Sequence, residues 1–415
     1  MHVGQAGHKK PKTLLLMSQV YVPDPTSVGQ HFHDTCVEMV KRGHRVVVLT
    51  AAQGYNNPEV RYPKHEVRDG VEIRRFGFSS FGKKRIIFRL AGQLSFLFQS
   101  LLYAMFMRNL GGILISTSPP MASAAGLIVS VLHRTPLVFW VMDLNPDQAV
   151  AMGTVKASSP LVKLFDFFNR QVLRRSAAIV TLDRFMAERV LRKLDVRDKL
   201  TIFPPWPHEG HLEPVRHDEN PFRKAHNLNG RFVIMYSGNH SAFTPLRTIL
   251  DAALRLKDDP RFMFMFIGAG TGKPEVDKTI ADHQPGNIIS LPYQPMDQIK
   301  YSLSAADVHL VSLGDAEVGV RHPCKIYGAM ALQRPVLFLG PDPCHVTELI
   351  AQHPIGWRIR HGDVDGAVKT IREMADAPRE ELAQKGKLAR KVVDEELSQE
   401  SLCGRMCDII ERSMK

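Results

Sequence analysis

Short apolar runs alternate with helical stretches along the first half of the chain. Residues 29–42 have the mixed apolar and polar spacing of an amphipathic helix. The apolar runs that predict strands cover residues 13–20, 45–50, 112–116, 137–142 and 178–181. Short strands without polar alternation are typical of a parallel sheet that helices cover on both faces. The pattern therefore predicts a doubly wound α/β domain.

The second half of the chain repeats this design. Its apolar runs predict strands at 232–237, 262–267 and 308–312, with a helix at about 245–256. Between the halves, residues 204–221 are rich in proline, histidine and acidic residues and have no apolar period, which indicates a linker. We therefore expect two Rossmann-like domains, residues 1–203 and 222–397, with a ligand cleft between them at the carboxyl ends of the strands. A last helical stretch covers residues 398–415.

Length and cysteine content narrow the class of protein. A chain of 415 residues is too long for one hydrophobic core, in agreement with two domains. The five cysteines are odd in number and form no Cys-x-x-Cys pair, which argues against a disulfide framework and against a structural zinc site. The apolar run at 13–20 is too short and wrongly flanked for a signal peptide. These features predict a cytoplasmic protein.

Positive charge is concentrated in the first half. Residues 1–205 contain 28 Lys and Arg against 14 Asp and Glu, whereas the remainder contains 26 against 28. Such an asymmetry predicts an acidic partner for the first half, either an anionic membrane surface or a nucleic acid. No recognisable nucleic-acid-binding motif accompanies the charge, so we expect no nucleic acid partner.

One segment of the first half favours the membrane. Residues 86–107 carry a single charge and follow a basic run at 83–85, with Arg74 and Arg75 further upstream. This pattern is typical of a helix that lies in a membrane interface beside a basic patch. A helix that packs one face on the sheet explains the same residues, and both can hold for different faces. We expect peripheral association with the inner face of the cytoplasmic membrane rather than a membrane span.

The segment 319–341 carries the strongest indication of a ligand site. It joins a loop, a helix start and an apolar strand. Pro323 shortly precedes the predicted helix 325–332, whose first-turn amide groups we expect to be unpaired. Lys325 places a cation in that first turn, where the helix dipole normally disfavours one, so a bound diphosphate would explain its position. The alternative interpretation is a solvated surface lysine.

Small and polar residues follow several other predicted strands, where they would line the same cleft. Carboxylates there can orient hydroxyl groups or accept a proton, and glycines let a ligand approach the backbone. No histidine or third carboxylate follows Asp143 at ligand spacing, so we expect no metal ion. The residues in these loops are Gly29, Gln30, His31, Asp143, Asn145, Gly238, Asn239, His240, Gly268, Gly270 and Tyr293.

Two of these segments carry motifs that resemble one enzyme family. Residues 323–328 read Pro-Cys-Lys-Ile-Tyr-Gly, and residues 236–240 read Tyr-Ser-Gly-Asn-His. Both are similar to motifs of the retaining family 4 glycosyltransferases, in the bacterial polysaccharide-assembly branch related to WbuB and WcaI. The resemblance extends over nearly the whole chain. It implies a GT-B fold, in which the final helix returns to the first domain, and a nucleotide-diphosphate sugar as donor, with a UDP-sugar expected.

The resemblance also assigns roles to residues. Many family members carry two glutamates eight residues apart, at the positions of Val320 and Gly328 in this chain, which has neither. Glu317, slightly upstream, is then expected to bind donor hydroxyls. The expected catalytic residues are Lys325, Asp143 and Glu317. The donor site is expected to contain Gly238, Asn239, His240, Gly268, Gly270, Tyr293, Pro323, Cys324, Lys325 and Gly328, and the acceptor side Gly29, Gln30, His31 and Asn145.

The function implied by the resemblance is transfer to a lipid-linked saccharide or another bacterial glycan, as in the assembly of exopolysaccharide, capsule or O-antigen. No cofactor or metal ion is expected besides the nucleotide-sugar co-substrate. Two alternatives stay open. One is a GT-B epimerase that acts on a nucleotide sugar, which would need acid and base carboxylates in the cleft. The other is a nucleotide-sugar-binding protein without turnover, which the missing glutamate pair motivates.

Overall fold

The chain folds around two separate sheets, one in each half. The computed structural model describes residues 12–24, 26–54, 59–77, 79, 86–117 and 122–414, with the backbone alone at 86–90. Helices connect the strands within each half, as the apolar pattern predicts. The predicted fold class of two α/β domains is therefore confirmed.

The first sheet belongs to residues 13–202. Its elements are β1 (Thr13–Met17), α1 (Ser27–Lys41), β2 (Arg45–Ala51), β3 (His65–Arg68), β4 (Val71–Phe76), α2 (Ile86–Met105), β5 (Leu110–Ser116), α3 (Ala122–Leu132), β6 (Leu137–Val141), α4 (Asp147–Ala151), α5 (Pro160–Arg175), β7 (Ala178–Thr181), α6 (Arg184–Lys193) and β8 (Leu200–Ile202). The strand order is β3-β4-β2-β1-β5-β6-β7-β8. Neighbours pair in parallel, except that β3 and β4 form an antiparallel edge. The sequence pattern did not predict β3, because its side chains are polar and partly exposed.

The second sheet belongs to residues 232–359. Its elements and those that flank it are α7 (Pro221–Ala225), β9 (Phe232–Ser237), α8 (Arg247–Arg255), β10 (Phe262–Ile267), α9 (Lys273–His283), β11 (Ile288–Leu291), α10 (Ile299–Ser304), β12 (Val308–Ser312), α11 (Lys325–Ala331), β13 (Val336–Leu339), α12 (His345–Gln352), β14 (Gly356–Ile359), α13 (Val364–Asp376), α14 (Arg379–Glu396) and α15 (Gln399–Met414). The strand order is β11-β10-β9-β12-β13-β14, and every pair is parallel. The interior strand β10, second from the sheet edge, is buried along its whole length, which is why its sequence is continuously apolar.

The C-terminal helix α15 packs on the first domain, against α1 and β5 to β7. Arg42, which follows α1, forms ion pairs with Asp408 at 2.6 Å and Glu411 at 3.0 Å. Lys12 Nζ donates a hydrogen bond of 2.5 Å to the carbonyl oxygen of Met414. The chain therefore crosses between the domains twice, once through the linker and once before α15.

A buried chain of hydrogen bonds joins the two domains. The Asp183 carboxylate at the start of α6 accepts from His322 Nδ1 at 2.7 Å. Tyr327 of α11 lies between two histidines, with its hydroxyl 2.6 Å from His322 Nε2 and 2.8 Å from His345 Nε2. His322 makes the pKa of Asp183 lower than usual, although burial acts in the opposite direction. The loop before α11 is thus held against the first domain.

Helix α2 has one buried face and one exposed face. Phe96, Ser100 and Ala104 are fully buried against the domain. The exposed apolar side chains of the helix include Leu94, Phe98, Leu102 and Met105. The buried face agrees with the interpretation of a helix packed on the domain, whereas the membrane interpretation of the exposed face stays a prediction. Within the described ranges, no helix is long and apolar enough to cross a membrane.

The predicted basic patch beside α2 is smaller than the sequence suggests. Its run at 83–85 lies outside the described residues. Arg75 is only 3% exposed, because its guanidinium forms an ion pair of 2.6 Å with Glu66 and donates to the Val22 carbonyl. The expectation that Arg75 contributes to a basic surface is therefore wrong.

Candidate active site in the cleft between the domains

Lys325 lies at the carboxyl end of the second sheet and reaches across to the loop that follows β9. Its ammonium group donates to the Tyr236 hydroxyl and, at 2.8 Å, to the Asn239 carbonyl oxygen. Burial, with a smaller contribution from Arg321, lowers the pKa of Lys325 to about 7. No acidic side chain forms an ion pair with Lys325 within the part of the chain that the structure describes. The interpretation of Lys325 as a solvated surface lysine does not fit this environment.

Arg321 is a second cation at the same place, which the sequence pattern did not predict. Its Nε lies 3.3 Å from Asp143 Oδ1, and its guanidinium lies over the Phe243 ring at 4.5 Å. Asp143 follows β6 in the first domain, so this ion pair bridges the cleft. Burial raises the pKa of Asp143, and Arg321 offsets part of that rise. In the sequence, Arg321 lies four residues before Lys325 and just outside the motif at 323–328. Its nearness to Lys325 was the one feature that could have indicated a second cation at the site.

Glu317 lies close to this ion pair but is more deeply buried. The residue is only 3% exposed, and its Oε2 has no hydrogen-bond partner among the described residues. Burial raises the pKa of the Glu317 carboxyl, Arg321 opposes the rise, and Asp143 adds to it. Asp143 and Glu317 thus both lie near Arg321, and a carboxylate in such a position can accept a hydrogen bond from a substrate hydroxyl or take its proton.

His240 is the second side chain here with an unpartnered buried atom. Its Nδ1 lies 3.0 Å from the Gly238 carbonyl oxygen, which can only accept, so Nδ1 carries a proton. Burial, Lys273 and Lys325 lower the pKa of His240 to about 4, which keeps the ring neutral. Its buried Nε2, which has no partner among the described residues, is then an acceptor. In the free protein this nitrogen therefore suits a hydroxyl group, which can donate a hydrogen bond, better than an ionised phosphate oxygen, which can only accept one.

The glycines of the donor loops are required by close backbone packing. Gly238 has φ +125°, and a Cβ added there would lie 2.6 Å from Lys325 Cε. Gly268 and Gly270, at φ +130° and +138°, leave no room for a Cβ, because the carbonyl oxygens of Gly238 and His240 lie about 2 Å from where it would be. The loops after β9 and β10 therefore pack directly on each other, and Gly238 leaves space for the Lys325 side chain.

The first turn of α11 differs from the expectation. The amides of Cys324, Ile326 and Tyr327 donate to the carbonyls of the residues two or three positions earlier. These three groups are not available to an anion, because tight turns around Pro323 satisfy them. Lys325 and Arg321 side chains, rather than a row of free helix amides, supply the positive charge of this site.

The loop expected on the acceptor side is more buried than the sequence suggests. His31 is only 2% exposed, and its Nε2 lies 2.9 Å from the Trp206 carbonyl oxygen while Nδ1 faces Ser27 and His208. Its ring has no free nitrogen for an acceptor, so that assignment is wrong. A Cβ at Gly29 would lie 2.8 Å from Thr26 Oγ1 and 3.1 Å from the Tyr21 backbone, so packing within the chain explains this glycine.

The remaining predicted residues differ in their exposure. Gln30 and Asn145 are partly exposed, and the Asn145 carbonyl oxygen accepts from Asn169. Tyr293 is 52% exposed next to the loop after β10, and burial of part of its ring raises its pKa. The other three, all in or before α11, are Pro323, Cys324 and Gly328, of which Gly328 is buried. No group of three or more potential metal ligands occurs among the described residues.

Comparison with known proteins identifies the class of enzyme. A profile described as a glycosyl transferase 4-like domain matches residues 26–206. The probable glycosyltransferase WbjE of Pseudomonas aeruginosa is 24% identical over 393 residues, which is 93% of this chain and 94% of the relative. The putative colanic acid biosynthesis glycosyl transferase WcaI of Escherichia coli (strain K12) is 23% identical over 390 residues, 91% of this chain and 95% of the relative.

A solved structure shares the fold over almost the full length. The structure of Anabaena Alr3699/HepE in complex with UDP-glucose matches with a TM-score of 0.72 and 12% identity, over 96% of this chain and 99% of that chain. The arrangement of two parallel-sheet domains is therefore that of the GT-B glycosyltransferases.

Proposed function

Since the chain is a glycosyltransferase of the GT-B fold related to family 4, we propose that it transfers a sugar, with retention, from a nucleotide-diphosphate sugar to a lipid-linked or other bacterial glycan acceptor. The donor is a UDP-sugar, in line with the UDP-glucose bound by the Anabaena protein of the same fold. The product belongs to the assembly of a bacterial polysaccharide, in line with the colanic acid biosynthesis named for the WcaI relative.

The cation pair Lys325 and Arg321 is the observation that carries this proposal. Cleavage of the bond between sugar and nucleotide leaves a diphosphate whose negative charge grows in the transition state. Among the described residues, Lys325 has no carboxylate partner and Arg321 has only Asp143 at 3.3 Å, so both cations can interact with the departing diphosphate. Tyr236 and the Asn239 carbonyl oxygen hold the Lys325 ammonium in place before the donor binds.

Asp143 and Glu317 act on hydroxyl groups in this mechanism. Asp143, on the first domain, orients the acceptor hydroxyl. Glu317, which has an unpartnered carboxyl oxygen, binds hydroxyls of the donor sugar. Since Arg321 engages Asp143, we assign no enzymic nucleophile. The acceptor oxygen attacks the anomeric carbon from the face on which the diphosphate departs. The bond between that carbon and the phosphate oxygen breaks, and the departing phosphate oxygen takes the acceptor proton.

The first domain carries the surface that we assign to the membrane. Helices α2, α3 and α5 are neighbours. Lys163 and Arg170 on α5 have no ion-pair partner among the described residues and lie about one turn to either side of the exposed Phe167. Apolar side chains flanked by free cations suit an anionic lipid surface, where a lipid-linked acceptor would be found. Exposed apolar residues of these helices include Leu94, Phe98, Leu102, Ile128, Val131, Leu161, Leu164 and Phe167.

Thermal unfolding in the presence of UDP, GDP, ADP and CMP tests the donor class. A ligand that binds only the native state raises the midpoint by mass action. We expect UDP to raise the midpoint of the native protein and to have little effect on the Lys325→Ala variant. The proposed donor site would be contradicted if none of the four nucleotides raised the midpoint, or if UDP raised it equally in the variant. Proton NMR of the first sugar product tests retention, because the product of an inverting enzyme has the opposite anomeric configuration.

A further inference from the structure

The linker runs along the helix that carries Lys325. Arg390 of α14 donates to the carbonyl oxygens of both Leu212 and Ala331, at 3.2 Å and 2.9 Å, which fixes this part of the linker beside the end of α11. Glu209 precedes Leu212 in the linker by three residues, just as Gly328 precedes Ala331 in α11. Glu209 lies against Gly328. The linker and α11 are therefore aligned in the same direction over about one helical turn.

The side chain of Glu209 lies where a side chain of residue 328 would be. A Cβ added to Gly328 would lie 3.2 Å from the Glu209 carboxyl carbon and 3.3 Å and 3.5 Å from its two oxygens. Gly328 thus leaves room for the carboxylate on the face of α11. Glu209 is partly exposed, and its carboxylate forms no hydrogen bond or ion pair with any described residue.

The position of this carboxylate relative to Lys325 suggests what it binds. Gly328 follows Lys325 by three residues, so the two positions lie on neighbouring parts of one helix face, about 4.5 Å apart along the axis. A carboxylate repels a phosphate but accepts hydrogen bonds from hydroxyl groups. In a nucleoside diphosphate, the ribose with its two adjacent hydroxyls directly follows the diphosphate. A diphosphate at Lys325 would bring the ribose within reach of Glu209.

We propose that Glu209 binds the ribose hydroxyls of the donor nucleotide, which rests on the proposed binding of the diphosphate at Lys325. The linker then forms part of the nucleotide site, although neither sheet contributes this residue. Arg390 holds this part of the linker beside α11 in the free protein, so Glu209 is positioned before the donor binds.

Nucleotides that lack the ribose hydroxyls test this proposal. Affinities for UDP and 2′,3′-dideoxy-UDP are measured by calorimetry with the native protein, Glu209→Gln and Glu213→Gln, an exposed acid of the same linker. We expect the native protein and Glu213→Gln to prefer UDP by about 10- to 100-fold, as for hydrogen bonds to a charged group. Glu209→Gln should bind UDP about as weakly as the native protein binds the analogue. This variant should lose little further affinity when UDP is replaced by the analogue.

A variant that moves the carboxylate provides a second test. Gly328→Glu combined with Glu209→Ala places a carboxylate on α11 in the space that Glu209 vacates, and we expect it to regain a preference for UDP that Glu209→Ala alone lacks. Equal binding of UDP and the analogue by the native protein, or an unchanged preference in Glu209→Gln, would overturn the role of Glu209. Binding of neither nucleotide by the native protein would instead overturn the proposed donor site at Lys325.

Discussion

The affinity for nucleoside diphosphates should depend on pH through Lys325. In the free protein, burial lowers the pKa of this ammonium group to about 7. A bound diphosphate places at least two negative charges beside it, which raises its pKa toward the ordinary value of about 10.4. Since the pKa is higher in the complex, binding is favoured below pH 7 and weakens as pH rises above that value.

The size of the effect follows from these two pKa values. At pH 7 about half of the free protein carries a charged Lys325, and at pH 9 only about 1% does. The dissociation constant for UDP should therefore rise about 50-fold between pH 7 and pH 9. Other titratable groups that face Lys325 do not change charge in this range, because the pKa values of Tyr236 and Cys324 are each about 12. The terminal phosphate, with a second pKa of about 6, is already ionised.

Calorimetric titration of UDP at several pH values, with two variants, measures this dependence. Lys325→Arg keeps a positive charge that does not titrate below pH 12, so its affinity should stay nearly constant from pH 7 to pH 9. Lys325→Met should bind weakly at every pH. A flat profile in the native protein, or the same slope in Lys325→Arg, would refute the assignment of Lys325 to the diphosphate.

Three further substitutions test separate parts of the structure. Gly238→Ala should weaken UDP binding, measured by calorimetry, about tenfold or more, because the added Cβ displaces Lys325. Gly230→Ala is the control: Gly230 also has a positive φ, +77°, but a Cβ there would have no atom within 4 Å, so the affinity should stay unchanged. Phe98→Ser should reduce co-sedimentation with anionic lipid vesicles about tenfold; the matched change at Val67, 71% exposed on β3, should have no effect. Asp183→Ala should lower the free energy of unfolding in urea by about 3 kcal/mol, because it leaves a buried polar chain without its acceptor; a change under about 0.5 kcal/mol would contradict that role.

The sequence predicts the fold well because most interior strands of both sheets are buried on both faces. A strand such as β10 must then be apolar at every position, and such a run is visible without any alignment. The predicted helix at 29–42 is found as Ser27–Lys41. The polar edge strand β3 was missed for the same physical reason, since it lacks that apolar run.

The site could be predicted only in part, because its chemistry depends on contacts between distant segments. His31 looks like a cleft residue in sequence, but Trp206, 175 positions away, covers it. Arg321 becomes part of the site through an ion pair with Asp143 on the other domain. Glu209 lies in a linker without periodicity, and only its position beside Gly328 shows its relation to α11. The pattern of apolar and polar residues within a short stretch of sequence predicts none of these long-range contacts.

Turnover of a UDP-sugar gives the most direct test of the proposed reaction. Release of UDP is measured with the native protein and Lys325→Ala, each with and without bacterial membranes that supply lipid-linked acceptors. The structure predicts release that depends on the membranes and is lower in the variant by a factor of about 100 or more, the size expected when a group that stabilises transition-state charge is removed. Equal release by the two proteins, or a native protein that binds UDP but never turns over a UDP-sugar, would contradict the assignment.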